Sequence, residues 1–373
     1  MNDLFDISKI LDYLDFDYKH IEESRIRQSL AWKKQKLEYP IIFCGDKLNY
    51  KQENIPDYNL KETFYDKSKM LCSQARLACQ AANGHSDSVP SIRANLGTGI
   101  LLSCFGLEQE VYPDKMPWLK EHLSKEKISK LSPGDIKIQG SFERGLEMMH
   151  YFKETTNDCI PVFVMDTQGP FDLAHLLLGD QLFLELYDDP PFVHHLMEIC
   201  FQLGIKTHHW MKEAIGEPLT SLHHSNAIFS DSFSIRICED TTALLGDEQI
   251  REFAIPYSVK LAKEFGAAWI HYCGYNEALT DALLEVPEFK VINFGHIPGH
   301  EYEIDFCKNM EKFQKAGKIN WNWWPKFKDE KSIDYLKRLH YWANKGILAP
   351  YISLNDTDFK SASELIDIWK NMK

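Results

Sequence analysis

The stretch that decides the fold is residues 247–273, DEQIREFAIPYSVKLAKEFGAAWIHYC. Its first part, 247–265, has apolar residues at helical spacing with an interruption at Pro256, and Gly266 is a typical helix stop. The apolar run 267–270 that follows predicts a short buried strand ending at His271. The stretch is therefore one helix–strand unit of an α/β protein.

The same alternation continues to the C-terminus. Strand-like runs lie at 289–294, 318–322 and 346–350, and helical runs lie at 276–284, 332–344 and 361–372. Strands that alternate regularly with helices predict a parallel sheet, either doubly wound or closed into a barrel.

Further strand candidates upstream bring the total to eight; they are 40–44, 136–139 and 161–165, with 221–224 as a weaker one. We therefore expect a (β/α)8 barrel of the TIM type with additional helices in 1–40 and 50–130. No repeat or linker interrupts the chain, so we expect a single domain over 1–373.

Composition restricts the function classes. The chain has 373 residues, 44% of them apolar, and a net charge of -13, which disfavours nucleic acids and anionic membrane surfaces as partners. No signal peptide and no transmembrane run is expected from the pattern. The nine cysteines are scattered and odd in number, which indicates reduced thiols and a cytoplasmic enzyme.

His271 and Cys273 are the most informative residues of the candidate site. Alternate residues of a strand point to the same face, so these two side chains converge while Tyr272 points away. An imidazole and a thiol at one strand end can begin a soft metal site or form an acid/base pair. Two ligands do not complete a catalytic metal site, which normally has three protein ligands.

Further polar and aromatic residues gather at the predicted strand ends, where a parallel barrel carries its functional groups. They are Asp166, Gln168, His223, His224, Asn226, Asn293, His296, Asn322, Trp323, Trp324, Tyr351, Asn355 and Asp356. Only one of the two adjacent histidines can face the pocket, and we favour His224. Asp166 and Asp240 either contact substrate or cap a turn or helix, and the tryptophans either line the pocket or pack against outer helices.

Five stretches carry a resemblance to a known superfamily. They are PSIRANLGTG (90–99), DTQGPFDLA (166–174) with LYDDP (186–190), CEDTTALL (238–245), REFAIPY (251–257) leading to HYCG (271–274), and GILAP (346–350). In this order they resemble the uroporphyrinogen decarboxylase superfamily, which also contains corrinoid-dependent and methylcobamide methyltransferases. The resemblance implies a TIM-type barrel and is closer to the methyltransferase and uncharacterised branches than to the true decarboxylases. The arginine-rich N-terminal motif with which the decarboxylases bind porphyrinogen carboxylates, RQAGRY, is absent here.

The methyltransferase branch binds zinc through His-x-Cys and a later cysteine. His271 and Cys273 match the first part, but the later position reads Tyr351-Ile352-Ser353 and has no sulfur. His296 is our candidate for the third zinc ligand, and Cys307 is a weaker one.

The resemblance thus implies an enzyme that moves a methyl group between a corrinoid, carried by a partner protein, and a small nucleophilic acceptor. We expect Asp166, His224 and Asp240 to be catalytic, and Gln168, Trp323 and Tyr351 to bind substrate. The resemblance also implies a homodimer. One alternative is metal-free decarboxylation of a small or tetrapyrrole carboxylate, and another is a ligand-binding barrel without activity.

Overall fold

The computed structural model describes residues 5–296 and 304–372. Within these ranges the chain forms a mixed α/β structure built on a five-stranded parallel sheet. We find no helix there with the length and apolarity that crossing a membrane requires.

The strands of the described ranges are short. They are β1 (Ile92–Arg93), β2 (Gln109–Glu110), β3 (Trp118–Leu119), β4 (Val162–Phe163), β5 (Leu222–His224), β6 (Ile228–Ser230), β7 (Ile235–Cys238), β8 (Ala268–Tyr272), β9 (Phe289–Phe294), β10 (Ile319–Trp323) and β11 (Leu348–Tyr351).

The helices surround these strands. They are α1 (Ile10–Leu14), α2 (Tyr18–Trp32), α3 (Leu60–Tyr65), α4 (Lys67–Asn83), α5 (Lys125–Ile128), α6 (Gly140–Thr155), α7 (Pro170–Leu178), α8 (Gln181–Asp188), α9 (Pro190–Ile215), α10 (Asp247–Gln249), α11 (Ile255–Glu264), α12 (Glu277–Glu285), α13 (Phe306–Ala316), α14 (Ser332–Asn344) and α15 (Ala362–Lys370). A π-helical turn, Ile250–Ala254, joins α10 to α11 just before Pro256.

The parallel sheet has the strand order β11-β10-β9-β8-β7. In its register, His271 lies beside Cys238 on one neighbour and beside Asn293 on the other. Because the strands are parallel, their carboxyl ends meet at one edge, and the loops that follow them share a single surface.

Parallel pairing extends past both edges of this sheet. Phe43 bridges Tyr351 at the β11 edge, and Gln168 bridges Cys238 at the β7 edge. Strands β1 and β4 form a separate parallel pair. These contacts bring the segments around 43, 92, 162 and 168 into the same parallel arrangement as the sheet.

Apolar side chains form two buried clusters. The larger cluster fills the space between the strands and the surrounding helices. The smaller cluster contains Trp32, Phe43, Trp269, Ile319 and Ala349, with Trp321 packed against it. Since these residues come from neighbouring parallel strands and from α2, they form a column along one face of the sheet.

Three of the predicted strands differ from the structure. Residues 40–44 form no strand and contribute only the isolated bridge at Phe43, because the backbone N–H groups of Ile42 and Cys44 donate to the side chains of Asp87 and Ser86. Residues 136–139 form no strand but an irregular entry to α6, in which Ile138 is exposed and Gly140 has a positive φ of 61°. The segment 221–224 pairs as β5 with β6 in an antiparallel hairpin, because Ser225 and Asn226 adopt the left-handed conformation of a tight turn.

The sequence reasoning also missed β7. Its residues 235–238 read Ile-Arg-Ile-Cys, an alternation of polar and apolar residues that predicts a strand. The motif CEDTTALL (238–245) includes only Cys238 of this strand. As a result Arg236, which lies in the middle of β7, was not recognised as a site residue.

Candidate functional site

A cavity of about 490 Å³ lies at the carboxyl ends of β7, β8 and β9. Its lining includes Arg93, Phe163, Asp166, Gln168, His224, Arg236, Cys238, Asp240, Trp269, His271, Cys273, Asn293 and Trp321. The cavity therefore combines metal-ligating side chains, two guanidinium groups and aromatic walls.

Cys238, Asp240 and His271 bring one potential ligand atom each to within 4.8 Å of one another. The Cys238 thiol lies 3.2 Å from Asp240 Oδ1, and His271 Nε2 lies 3.6 Å from the same oxygen. This close approach results from the sheet register, which places Cys238 directly beside His271.

Cys273 joins this cluster from the end of β8. Its Sγ is 3.4 Å from His271 Nε2, and its backbone N–H donates to Asp240 Oδ1 at 2.7 Å. Asp240 Oδ1 therefore contacts the Cys238 thiol, His271 Nε2 and the Cys273 backbone N–H. We call Cys238, Asp240, His271 and Cys273 the ligand cluster.

Asn293 fixes the orientation of the His271 ring. The Asn293 amide nitrogen donates to the Trp321 carbonyl and to the Asn322 side chain, each at 2.8 Å. Its Oδ1 therefore faces His271 and accepts a hydrogen bond from Nδ1. In this tautomer Nε2 carries the lone pair and presents it to Asp240 and Cys273.

Burial sets the charge state of the cluster. Burial lowers the pKa of His271 to about 4, with the nearby Arg236 charge contributing in the same direction. Burial and the Asp240 carboxylate raise the pKa of the Cys273 thiol to about 12. At neutral pH the imidazole is therefore neutral.

Asp166 lies between two arginines on another side of the cavity. Its carboxylate is 3.3 Å from Arg93 Nη1 and 3.5 Å from Arg236 Nη1, and Gln168 Nε2 donates to it at 3.4 Å. Burial opposes ionisation, but the two guanidinium groups hold the pKa of Asp166 below its usual value. This part of the cavity therefore carries two positive charges and one negative charge.

His224 lines the cavity, whereas His223 points to the other face of β5. The His224 ring packs on Phe163 and Trp269, with centroids 4.9 and 5.2 Å away. Its Nε2 is buried and has no hydrogen-bond partner among the described residues. Burial, with the charge of Arg236, lowers the pKa of His224 well below its usual value.

His223 is held outside the cavity by other charged groups. Its Nδ1 is 2.6 Å from Glu217, and Arg25 approaches its Nε2 at 3.0 Å. The two histidines are adjacent in the sequence, but they lie on opposite faces of β5, so only His224 faces the cavity.

Two buried carboxylates join the loops that carry Asp166 and Asp240. Asp172 accepts the backbone N–H groups of Asp240 and Thr241 at 2.9 and 2.7 Å. In return, Glu239 accepts the N–H of Asp172 at 3.1 Å and the Ser258 hydroxyl at 2.5 Å. We call this exchange the carboxylate clasp.

The clasp carboxylates are shielded from water. Burial raises the pKa of Glu239 to about 7, although its hydrogen bond from Ser258 works against the shift. Burial and the nearby Glu239 raise the pKa of Asp172 well above its usual value. Gly169 makes this packing feasible, because a Cβ there would lie 2.3 Å from Glu239 Oε1.

Three further candidates from the sequence, His296, Trp323 and Tyr351, line an adjoining cavity of about 260 Å³. His296 Nε2 is 3.0 Å from the Trp323 carbonyl oxygen, and the Trp323 indole donates to Asp356 at 2.6 Å. The structure thus places His296 beside the ligand cluster rather than within it. Cys307 is exposed on α13, in the part of the chain that resumes at residue 304.

The structure adds site residues that the sequence reasoning did not select. Arg93 lies in the motif 90–99, whose pattern assigns it no role, and Arg236 and Cys238 belong to strand β7. The alternating pattern of β7 places Arg236 and Cys238 together on one face of the strand, and Ile235 and Ile237 on the other. No sequence signal pairs Arg93 with Arg236, because they are distant in the chain.

Comparison with known proteins gives a structural relative. No family model and no curated protein matches the sequence. A solved structure described as a methyltransferase from Methanosarcina mazei is similar over 93% of this chain and 98% of that one, with a TM-score of 0.65 and 15% sequence identity. At this identity the likeness shows that the two chains share a fold.

Proposed function

We propose that this chain is a methyltransferase that moves a methyl group between a corrinoid and a small nucleophilic acceptor, with zinc at the ligand cluster. The single observation that carries the proposal is the convergence of Cys238, Asp240, His271 and Cys273 at the strand ends. The fold shared with a methanogen methyltransferase is consistent with it. The motifs that resemble the uroporphyrinogen decarboxylase superfamily add further support.

The ligand cluster fits zinc in its chemistry. His271 Nε2 faces the Asp240 carboxylate with a lone pair, so neither group supplies a proton for the 3.6 Å contact between them. A cation between them would satisfy both acceptors and would replace the protons of the Cys238 and Cys273 thiols, which also lie within reach of them. Nitrogen, sulfur and carboxylate oxygen are the ligands that zinc takes in proteins.

In this proposal His271 and Cys273 are two zinc ligands, and the third comes from Asp240 or Cys238. Bound zinc would lower the pKa of an acceptor thiol and favour its thiolate. Asn293 holds the His271 ring so that its lone pair remains directed into the cluster. His296 is the alternative third ligand, and it lies in the adjoining cavity with its Nε2 3.0 Å from the Trp323 carbonyl oxygen.

The remaining cavity residues bind and orient the acceptor. Arg93 and Arg236 leave a net positive charge beside Asp166, so we place an anionic group of the acceptor there. Asp166 remains ionised and fixes the two guanidinium groups rather than supplying a proton. His224, neutral and with a free Nε2, is the residue of the cavity best suited to hold a proton at that nitrogen.

The corrinoid would approach from the open side of the cavity, carried by a partner protein. Trp323 and Tyr351 line the adjoining space and offer flat apolar surfaces to a planar ring.

We also propose that the parallel strands close into a TIM-type barrel. The bridges at Phe43 and Gln168, which extend the sheet at both edges, support closure.

Metal analysis of ligand variants tests the zinc site. We expect protein purified without chelator to contain an equimolar amount of zinc, and cobalt(II) substitution to give thiolate-to-metal absorption. His271→Ala and Cys273→Ala should abolish tight binding, measured against a competing chelator. Loss of affinity in Cys238→Ala or in Asp240→Asn would identify the third ligand.

His296→Ala is the matched control among the candidate ligands. It should retain zinc with unchanged affinity. Loss of zinc in His296→Ala with retention in both Cys238→Ala and Asp240→Asn would assign the third position to His296 instead. Wild-type protein that binds neither zinc nor cobalt would overturn the metal site.

Methylcobalamin tests the methyl donor. Incubation with zinc-loaded protein and a panel of small anionic and neutral thiols should convert the methylcobalamin spectrum to that of demethylated cobalamin. Thiols with a carboxylate or sulfonate should react faster than neutral ones, and Arg93→Ala should remove the difference. No demethylation with any thiol, together with no cobalamin binding in equilibrium dialysis, would contradict the proposal.

Decarboxylation of a small carboxylated molecule is the second candidate, and the two arginines favour it because they can bind a carboxylate. The same arginines oppose its chemistry, since their charges offset the field with which Asp166 would stabilise a developing cation. Metal content separates the two candidates, because the decarboxylase would function without zinc.

A further inference from the structure

A second cavity lies at the opposite end of the strands from the ligand cluster. It has a volume of about 410 Å³ and includes Ile319 and Leu348, the first residues of β10 and β11. The ends of α2 and α14 border it with Trp32 and Ala343. The volume is within the range of small-molecule sites in proteins.

The floor of this cavity is apolar. Trp32, Ile41, Ile319 and Ala349 are buried side chains that belong to the smaller apolar cluster, and all of them line the cavity. An apolar ligand group placed on this floor would be removed from water, which stabilises binding.

The rim of this cavity is basic. Lys34, Lys36 and Lys345 line it, and none of them forms an ion pair with a carboxylate among the described residues. Desolvation lowers the pKa of Lys34, and it lowers the pKa of the neighbouring Lys318 to about 8, with positive charges of Lys290 and Lys34 also acting on Lys318. Lys345 also donates to the Tyr341 hydroxyl, so Lys34 and Lys36 are the rim cations that have no carboxylate partner and no hydrogen bond from Nζ among the described residues.

We propose that this cavity is a binding site for an amphipathic organic anion, with its apolar body on the Trp32 floor and its carboxylate at the Lys34 and Lys36 rim. The cavity fits a ligand that has both an apolar part and an anionic group. An apolar molecule without an anionic group would not interact with the lysine charges, and a small hydrophilic anion would leave the apolar floor in contact with water. The site is independent of the proposed methyltransferase activity.

Aromatic contacts connect this floor with the candidate active site. Trp32 stacks on Phe43 with centroids 6.3 Å apart, Phe43 meets Trp321 at 6.2 Å, and Trp321 meets Trp269 at 4.7 Å. Trp269 and Trp321 line the cavity of the ligand cluster. A ligand on Trp32 therefore contacts the same column of side chains that forms the wall of the other cavity.

Dodecanoate, dodecanol and dodecyltrimethylammonium, which share an alkyl chain and differ in head-group charge, test the proposal. Isothermal titration of the full-length protein should show saturable binding of dodecanoate, at least about tenfold weaker binding of dodecanol, and no binding of the cation. Equal binding of all three, or no binding of dodecanoate, would overturn the proposal.

Two charge-reversal variants with the same net charge locate the site. Lys34→Glu combined with Lys36→Glu should weaken dodecanoate binding at least about tenfold. Lys47→Glu combined with Lys51→Glu, at exposed positions that do not line the cavity, should leave it unchanged. If both double variants lose affinity equally, the anion responds only to overall charge and the assigned site is wrong.

Filling the floor provides an independent test. Ala31 lines the cavity on the last turn of α2 and is half-buried, so Ala31→Phe places a ring in the space. The variant should lose dodecanoate binding while its circular dichroism and thermal transition remain those of the wild type. Undiminished binding by the folded variant would place the anion elsewhere.

Discussion

At the scale of single residues, the His271 side chain shows how one hydrogen bond determines the chemistry of a site. Both amide hydrogens of Asn293 are used by Trp321 and Asn322, so only its oxygen can face the imidazole. The ring is therefore fixed with its lone pair toward Asp240 and Cys273. An amide of the opposite orientation would turn the same imidazole into a donor at that place.

Asp166 shows the opposite case, in which neighbouring charges outweigh burial. A buried carboxylate alone would have a raised pKa, yet Arg93 and Arg236 lower the pKa of Asp166. A carboxyl group whose folded-state pKa is lowered stabilises the protein above its unfolded pKa. That contribution disappears as the pH falls through the folded pKa.

Asp166→Asn should therefore destabilise the protein in a pH-dependent manner. Removal of the charge leaves two buried guanidinium groups uncompensated, at a cost of about 1–3 kcal/mol at pH 7. The difference in unfolding free energy from the wild type should be constant above about pH 6 and should shrink as the pH falls below about 4. Urea unfolding at a series of pH values measures it.

Asp12→Asn is the control for this measurement, because Asp12 is exposed on α1 and forms no ion pair within the described residues. It should match the wild type at every pH. A difference for Asp166→Asn that stays the same from pH 7 down to about pH 2 would show that the carboxylate is not held ionised by the arginines.

At the scale of elements, the carboxylate clasp joins the start of α7 to the loop after β7. Each loop supplies a carboxylate to backbone N–H groups of the other, so the two loops fix one another. Neither Asp172 nor Glu239 forms an ion pair in the described part of the chain. Their oxygens accept hydrogen bonds from backbone N–H groups instead, and the partial positive charges of these N–H groups stabilise them. The position of Asp240 in the ligand cluster depends on this exchange.

Gly169→Ala should disrupt the clasp. The added Cβ would lie 2.3 Å from Oε1 and 2.4 Å from Cδ of Glu239, so the buried carboxylate has to move. We expect a loss of about 1–3 kcal/mol in unfolding free energy, measured by urea denaturation. Zinc affinity should fall as well, because displacement of Glu239 disturbs the loop that carries Asp240.

Gly134→Ala is the matched substitution for comparison. The nearest atom to a Cβ there is Ser132 Oγ at 3.5 Å, an ordinary contact, so its stability should stay within about 0.5 kcal/mol of the wild type. Equal stability of the two alanine variants would show that the loop tolerates movement of Glu239.

At the scale of the whole molecule, the connection between Phe43 and Tyr351 joins an N-terminal segment to the last strand of the sheet. The Phe43 N–H donates to the Pro350 carbonyl at 2.9 Å, and the Ile352 N–H donates to the Phe43 carbonyl at 2.8 Å. The β11 edge is thereby covered rather than left open, which is the arrangement that barrel closure requires.

Hydrogen exchange tests this connection between Phe43 and the β11 edge. The amides of Phe43 and Ile352 should exchange as slowly as that of Asn320, which donates to Ile347 inside the sheet. Lys47 is exposed and its amide donates to the side chain of the preceding Asp46 rather than to the sheet, so it should exchange quickly and serves as the reference. Exchange of Phe43 at the rate of Lys47 would mean that the edge opens independently of the sheet.

The C-terminal strands and helices could be predicted because their patterns are strong and local. The predicted strand 289–294 and helix 332–344 coincide with β9 and α14. The strand at 136–139 was wrong because its hydrophobic alternation is only four residues long and its hydrogen bonds go to Cys104 in the 3-10 helix Ile100–Phe105 instead. Strand pairing for β5 depended on the turn at 225–226 rather than on the strand residues themselves.

The sequence by itself determined that this is an α/β chain with a chemically rich surface at its strand ends, because periodicity and strand alternation are local properties. It also placed His271 and Cys273 on one face. Only the tertiary structure decided which groups meet them: Cys238 and Asp240 arrive through sheet register, and Arg93 reaches Arg236 across Asp166. Those partners are far apart in the chain, and long-range pairing is set by packing that no local pattern encodes.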